Sequence, residues 1–240
     1  MRGLYGVGLA VLMVTSTGAA ALPTSASAGG DPAVKPAQEL AALVTSHKVV
    51  SRVRDGAVGV TRVQASRPIT GGQTVLPVLD HTTIAQGVRW LEVLVPGRPN
   101  GRSGWIKERG TVRSTTSWHL VVRTAQRKVV VYRHGRRVRS FSVVVGKPAT
   151  PTPRGRFFVE ESVRMLRTSA GAPFALALSA RSNVLQEFEG GPGQIALHGV
   201  ANLGGTPGTA ASHGCVRLSN AQITWLSSRV GPGAPVTIRR

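Results

Sequence analysis

Residues 118–146 read WHLVVRTAQRKVVVYRHGRRVRSFSVVVG. Runs of Val, Leu, Tyr and Phe alternate with Arg, Lys and Ser, the period-two pattern of strands that bury one face. Within them, Arg133-His134-Gly135-Arg136 supplies a tight turn. Gly135 accepts a positive φ without a Cβ clash, as two-residue hairpin turns require. The stretch predicts successive antiparallel strands and a β-rich domain around it.

Working downstream, residues 148–162 (PATPTPRGRFFVEES) read as a proline-rich loop running into another strand, and residues 194–200 (QIALHGV) as a short apolar strand ending at His198. NAQITWLSSRV, residues 220–230, is the best helix: Asn220 is placed to cap it, and Ile223, Leu226 and Val230 share one face. PVTIRR at the end reads as a last strand. Residues 165–193 include SAGAPFALALS and FEGGPG and are a candidate flap over a substrate, with 174–178 reading as ordinary strand.

Working upstream, STTS (residues 114–117) is a polar joint. Before it, residues 48–113 hold short β-like runs broken by Asp55-Gly56, Gly71-Gly72 and the Pro/Gly stretch 96–101, which predicts a small all-β unit. Its end, WLEVLVPGRPNGRSGWIKE, resembles the end of a bacterial SH3-like module. Trp90 and Trp105 are candidate ligand platforms, but small β units bury such rings, and core positions are expected for both. Residues 29–47 read as a linker with a short helical stretch from about 38 to 44. Residues 1–28 read as a secretory signal: Arg2, an apolar run, then Ala26-Ser27-Ala28 as an A-x-A cleavage site. No later segment is apolar enough to cross a membrane, so membrane contact is expected only through this signal. The expected location is the cell wall or a periplasm-like space.

The chain of 240 residues carries 29 Gly and 15 Pro, which favours turns and strands over long helices. Its formal net charge of +20 suits polyanions. Outside the cytosol these are anionic cell-wall polymers; no basic-aromatic interleaving or zinc-finger spacing points to nucleic acid.

Export sharpens the question posed by Cys215, the chain's single cysteine. In an oxidising compartment an odd cysteine is intermolecular, reactive, or buried and inert. It lies in SHGCVRLSN, residues 212–220, near groups that activate a thiol: His198, His213 and Arg217. His198 ends a predicted strand 17 residues upstream, and the intervening Gly-rich stretch is loop-like, so the fold is free to bring the two together.

His198-Gly199, a thirteen-residue loop (199–211), then Ser212-His213-Gly214-Cys215-Val216-Arg217 resembles the signature of L,D-transpeptidases of the YkuD type. The strands at 120–146 and the TPxG-like loop in TPTPRGRFFV resemble that domain as well, and the likeness spans residues 117–240. It implies a mainly β catalytic domain with little helix. It also implies that Cys215 is the nucleophile, that His198 is its base with the Gly199 carbonyl fixing the tautomer, and that His213 supports the thiolate. The backbone N–H groups of His213, Gly214 and Cys215 would form an oxyanion hole. Ser212 would shape the site by hydrogen bonding, while Arg217 is placed either to bind a substrate carboxylate or to form a structural ion pair. Asn220 would be a cap or a loop brace.

The implied substrates are peptidoglycan stem peptides. Cys215 attacks the third residue's carbonyl, D-alanine leaves, and an amine from another stem resolves the thioester into a 3→3 cross-link. One amide replaces another, so no cofactor is called for. Hydrolysis by an L,D-carboxypeptidase, or transfer to a protein amine, uses the same nucleophile. A metal site built on His198, His213 and Cys215 matches no familiar zinc spacing, and no metal is expected. A non-catalytic wall-binding protein is the remaining class.

Overall fold

The computed structural model describes residues 34–54, 57–188 and 190–240. The signal read at residues 1–28 and the start of the linker lie outside the described residues. The chain is mainly β, with one α-helix among the described residues. The N-terminal strands are β1 (Gln38–Leu43), β2 (His47–Val50), β3 (Gly59–Val63), β4 (Val75–Thr83), β5 (Arg89–Leu94), β6 (Ser103–Lys107) and β7 (Thr111–Thr116). They form one antiparallel sheet in the order β3-β2-β6-β5-β4-β1-β7.

Two readings of this half change. Gln38–Leu43 is strand, paired with β4 and with β7, where a helical stretch in a linker was expected. Its Ala, Leu and Glu favour helix locally, but Leu40, Ala41 and Leu43 are buried between two partner strands, and tertiary pairing overrides a weak propensity. The polar joint at 114–116 is the end of β7 for the same reason. This sheet therefore draws on residues before 48 and after 113. A third reading changes too: Trp90 and Trp105, expected in the core, are half-buried, while Leu91 and Ile106 beside them fill the core.

The second half adds β8 (Trp118–Arg123), β9 (Lys128–Arg133), β10 (Arg136–Ser142), β11 (Val145–Gly146), β12 (Gly155–Arg164), β13 (Phe174–Arg181), β14 (Gln194–His198), β15 (Ala210–Ser212), β16 (Val216–Arg217), α1 (Asn220–Ser227) and β17 (Pro235–Arg239). Eight of these strands make a mixed sheet, β10-β9-β8-β17-β12-β13-β14-β16, and β11 pairs with β15. The predicted hairpin is present, with His134 at φ 51° and Gly135 at φ 73° joining β9 to β10. Helix α1 buries Ile223 and Leu226, with Val230 just beyond it. Its N-cap is Ser219, not Asn220: the Ser219 side chain accepts from the Gln222 N–H while the Gln222 side chain accepts from the Ser219 N–H, a capping box.

Strand β12 joins the halves. Successive residues of a strand point to opposite faces, so Phe157 enters the core of the second half and Phe158 enters the core beneath β1–β6. A β-bulge between Val159 and Glu161 turns Glu160 and Glu161 toward Arg67 of the N-terminal half.

Candidate active site

Strands β14 and β16 run parallel, with Leu197 opposite Val216 and His198 opposite Arg217. Along β14, Ile195 and Leu197 are buried, which leaves Gln194, Ala196 and His198 on the other face. Val216 and Leu218 are fully buried in the same core, which puts Cys215 and Arg217 on the face of His198. Continuing the register one step back sets Cys215 opposite Ala196, a diagonal neighbour of His198. The Cys215 Sγ lies 4.0 Å from the Gln194 carbonyl oxygen, over β14.

His198 Nδ1 is 2.8 Å from the Gly199 carbonyl oxygen. A carbonyl only accepts, so Nδ1 carries the hydrogen and Nε2 keeps its lone pair. Burial pushes the His198 pKa below its ordinary 6.5; the Gly199 bond opposes this, and the Arg217 charge adds to it. The backbone around the ring leaves no room for side chains. A methyl at Gly199 would overlap the Ala172 carbonyl, and one at Gly171, where φ is +88°, would sit 2.5 Å from Nδ1. The Gly199 N–H donates to the Gly171 carbonyl at 2.8 Å, so residues 171–172 form a wall against the imidazole.

The turn that carries the thiol is stapled from beneath. Ser212 is fully buried; its Oγ donates to the Cys215 carbonyl at 2.6 Å and accepts from the Gly214 N–H at 3.1 Å. Thr150 Oγ1 donates to the Ser212 carbonyl, and Thr152 Oγ1, in the TPxG-like loop, donates to the Gly214 carbonyl at 2.9 Å. Gly214 has φ +121°, and an added Cβ would press on Ile195 at 3.0 Å. The expected oxyanion hole changes in one respect: the Gly214 N–H is turned onto Ser212 Oγ.

His213 is exposed, and its ring lies 5.5 Å from that of Phe188, tilted by 32°. Arg217 beside His198 donates from Nη1 to the Gly204 carbonyl at 2.5 Å, and among the described residues it forms no ion pair. Asn220 Oδ1 accepts from the Val200 N–H at 3.2 Å, bracing the loop after His198. Among the described residues no group of three or more His, Cys, Asp or Glu is placed to hold a metal ion.

Residues 117–238 match the L,D-transpeptidase catalytic domain of the YkuD type. The chain belongs to this family. A putative L,D-transpeptidase YkuD of Bacillus subtilis is 29% identical over 129 residues, covering 52% of this chain and 68% of that protein. The counterpart in Bacillus licheniformis is 29% identical over 127 residues, covering 52% and 67%. Among solved structures, L,D-transpeptidase 3 from Mycobacterium tuberculosis, in complex with a faropenem-derived adduct, is 16% identical, covering 83% of this chain and 97% of that one with a TM-score of 0.45.

Several residues around the L,D-transpeptidase motif escaped the sequence reading: Gly171 and Thr150 as supports, Phe188 against His213, and Arg98. Arg98 belongs to the N-terminal half, yet its guanidinium donates to the Ser182, Leu185 and Pro192 carbonyls at 2.8, 3.0 and 3.0 Å. Those carbonyls bracket the segment that brings Phe188 to His213. Replacing Arg98 with Ala is expected to raise amide exchange across residues 182–193 by roughly tenfold, the effect of losing charge-assisted bonds worth about 1–2 kcal/mol net. The expected kinetic change is a higher KM with kcat nearly kept. Exchange mass spectrometry checks it, and Arg98→Lys restores little, since a single ammonium does not span three carbonyls.

Proposed function

We propose that this protein is an exported peptidoglycan L,D-transpeptidase that forms 3→3 cross-links through a thioester on Cys215. The supporting observation is that Cys215 immediately precedes β16, the strand paired with the end of β14 at His198, and that the His198 tautomer is set by the Gly199 carbonyl. In this reading His198 Nε2 takes the Sγ proton as the thiolate attacks the carbonyl of the third stem residue. The tetrahedral intermediate collapses with cleavage of the amide to D-alanine, and His198 returns the proton to the leaving amine. A side-chain amine of a second stem then attacks the thioester, gives a proton to His198, and releases the thiol. Backbone donors other than the Gly214 N–H would stabilise the oxyanion. Arg217, beside His198, is placed to receive a substrate carboxylate, and its contact with Gly204 tethers it until one arrives. Exposed His213, leaning on Phe188, is placed as a wall of the acyl site. Residues 1–28 would direct export and be removed.

The test is intact mass after mixing with a tetrapeptide muropeptide. Wild type is expected to gain the mass of the acyl tripeptide moiety with release of D-alanine, while Cys215→Ala gains nothing. Cross-linked dimer should then appear when acceptor stems are added. An adduct that survives in Cys215→Ala would overturn the assignment of the nucleophile. Wild type that neither gains mass nor releases D-alanine would overturn the reaction.

A further inference from the structure

The N-terminal sheet carries a row of cations that the acyl-transfer reading leaves unused. Lys48 on β2 pairs directly with Arg62 on β3, and Lys107 on β6 pairs directly with Trp90 on β5. β2 meets β6 at Val50 opposite Trp105, and Lys48 and Lys107 line one cleft there. The row therefore runs Arg62, Lys48, Lys107, Trp90 across four adjacent strands, β3-β2-β6-β5. Neighbouring strands are about 4.8 Å apart, and like charges placed directly opposite destabilise a sheet.

Nothing in the described protein neutralises this row. Among the described residues Arg62, Lys48 and Lys107 form no ion pair, nor does Arg109 at the same cleft. The nearby carboxylates are engaged elsewhere: Glu108 by Arg89 and Arg113, and Glu92 by the Ser103 hydroxyl. All four cations are exposed and line a cleft of about 580 Å³. Trp90 lines it too, with the Lys107 ammonium 5.8 Å from its ring centroid, and its Nε1–H finds no acceptor among the described residues.

We infer that this cleft binds a phosphodiester-linked polyanion of the cell wall. A linear polymer with one charge per repeat matches a linear row of cations better than a single small anion does. Ammonium and guanidinium groups both bind phosphate oxygens, the ammonium as a compact point charge and the guanidinium as a fork, and the cleft offers two of each. Trp90 closes the row with an apolar face for the linking units. The inference depends on the exported reading only for where such a polymer is met; the cleft itself is independent of Cys215.

The experiment is fluorescence anisotropy of the mature chain with a labelled poly(glycerol phosphate) oligomer over a range of salt. Lys48→Gln/Lys107→Gln is expected to weaken binding by about tenfold or more and to flatten the salt dependence by roughly two released counterions. It should leave thermal stability equal or higher, since a repulsion is removed. Arg136→Gln/Arg137→Gln, which removes the same charge from the β9–β10 hairpin, is expected to change affinity less than about twofold. Cys215→Ala should bind as wild type, and the row variant should keep wild-type acyl transfer to a soluble stem, so the two proposals fail separately. Equal losses in both charge pairs would show that net charge alone binds and would overturn the site. So would equal affinity for a polygalacturonate of matched length, or no binding by wild type at low salt.

Discussion

Alanine at His198 is expected to lower kcat/KM for acyl transfer by about a thousandfold, the middle of the range for a positioned general base. The pH profile separates this role from a merely structural one. In the proposed mechanism wild type holds His198 neutral to accept the Sγ proton, so its rate should fall as the imidazole takes up a proton on acidification. Burial lowers that pKa, hence the acid limb is expected below the ordinary 6.5 and the enzyme should keep its activity at mildly acidic pH. In His198→Ala the limb should vanish. His213→Ala should keep the limb and lose far less, about tenfold, because its ring is exposed and leans on Phe188. A limb that survives in His198→Ala and disappears in His213→Ala would exchange the two roles.

How much of this was legible in the chain depended on how far each signal reaches. The β9–β10 hairpin follows from a local alternation and a local turn, and both survive in the fold because tertiary packing agrees with them. The helix was legible from its apolar face. Its cap lies one residue before Asn220, because Ser219 and Gln222 complete a capping box while Asn220 braces Val200 instead. Strand β1 was hidden because its helix-favouring residues are overruled by two strands far along the chain. At the site, the motif names the residues proposed to carry the chemistry but not those that hold them. Thr150 and Thr152 reach the thiol turn across 62 residues, and Arg98 reaches its loop across 84 to 94. No periodicity reports such contacts. The Phe157-Phe158 pair shows the same limit: both read as strand residues, and only the fold reveals that each serves a different core.

The halves are locked at Glu160, and breaking that lock is expected to be the most destabilising single change outside the apolar cores. Glu160 is fully buried between Arg67 and Arg181, whose side chains are only 11% and 10% exposed; its Oε1 is 3.0 Å from Arg181 Nη1 and its Oε2 contacts Arg67. Glu161 joins through Arg67 at 3.7 Å and accepts from the Thr70 N–H and hydroxyl at 2.8 and 2.9 Å. Burial lowers both guanidinium pKa values, Arg181 to about 10, yet each remains charged at neutral pH. The cluster is neutral as built, two cations against two carboxylates. Glu160→Ala leaves two buried guanidiniums sharing one carboxylate, a defect that costs about 3–5 kcal/mol. At about 2–4 °C per kcal/mol for a chain of this size, Tm should fall by roughly 10 °C. Glu108→Ala is the matched control: it also removes two ion pairs, but to Arg89 and Arg113, which are 70% and 34% exposed, and it should cost less than about 1 kcal/mol. Calorimetry of the two variants decides the matter. A similar small Tm loss in both would mean that water reaches the Glu160 cluster and that the modules are held by Phe158 and the strand packing alone. A large loss confined to Glu160→Ala, accompanied by weaker protection of residues 182–193, would show that the same interface that fixes the modules also steadies the segment carrying Phe188.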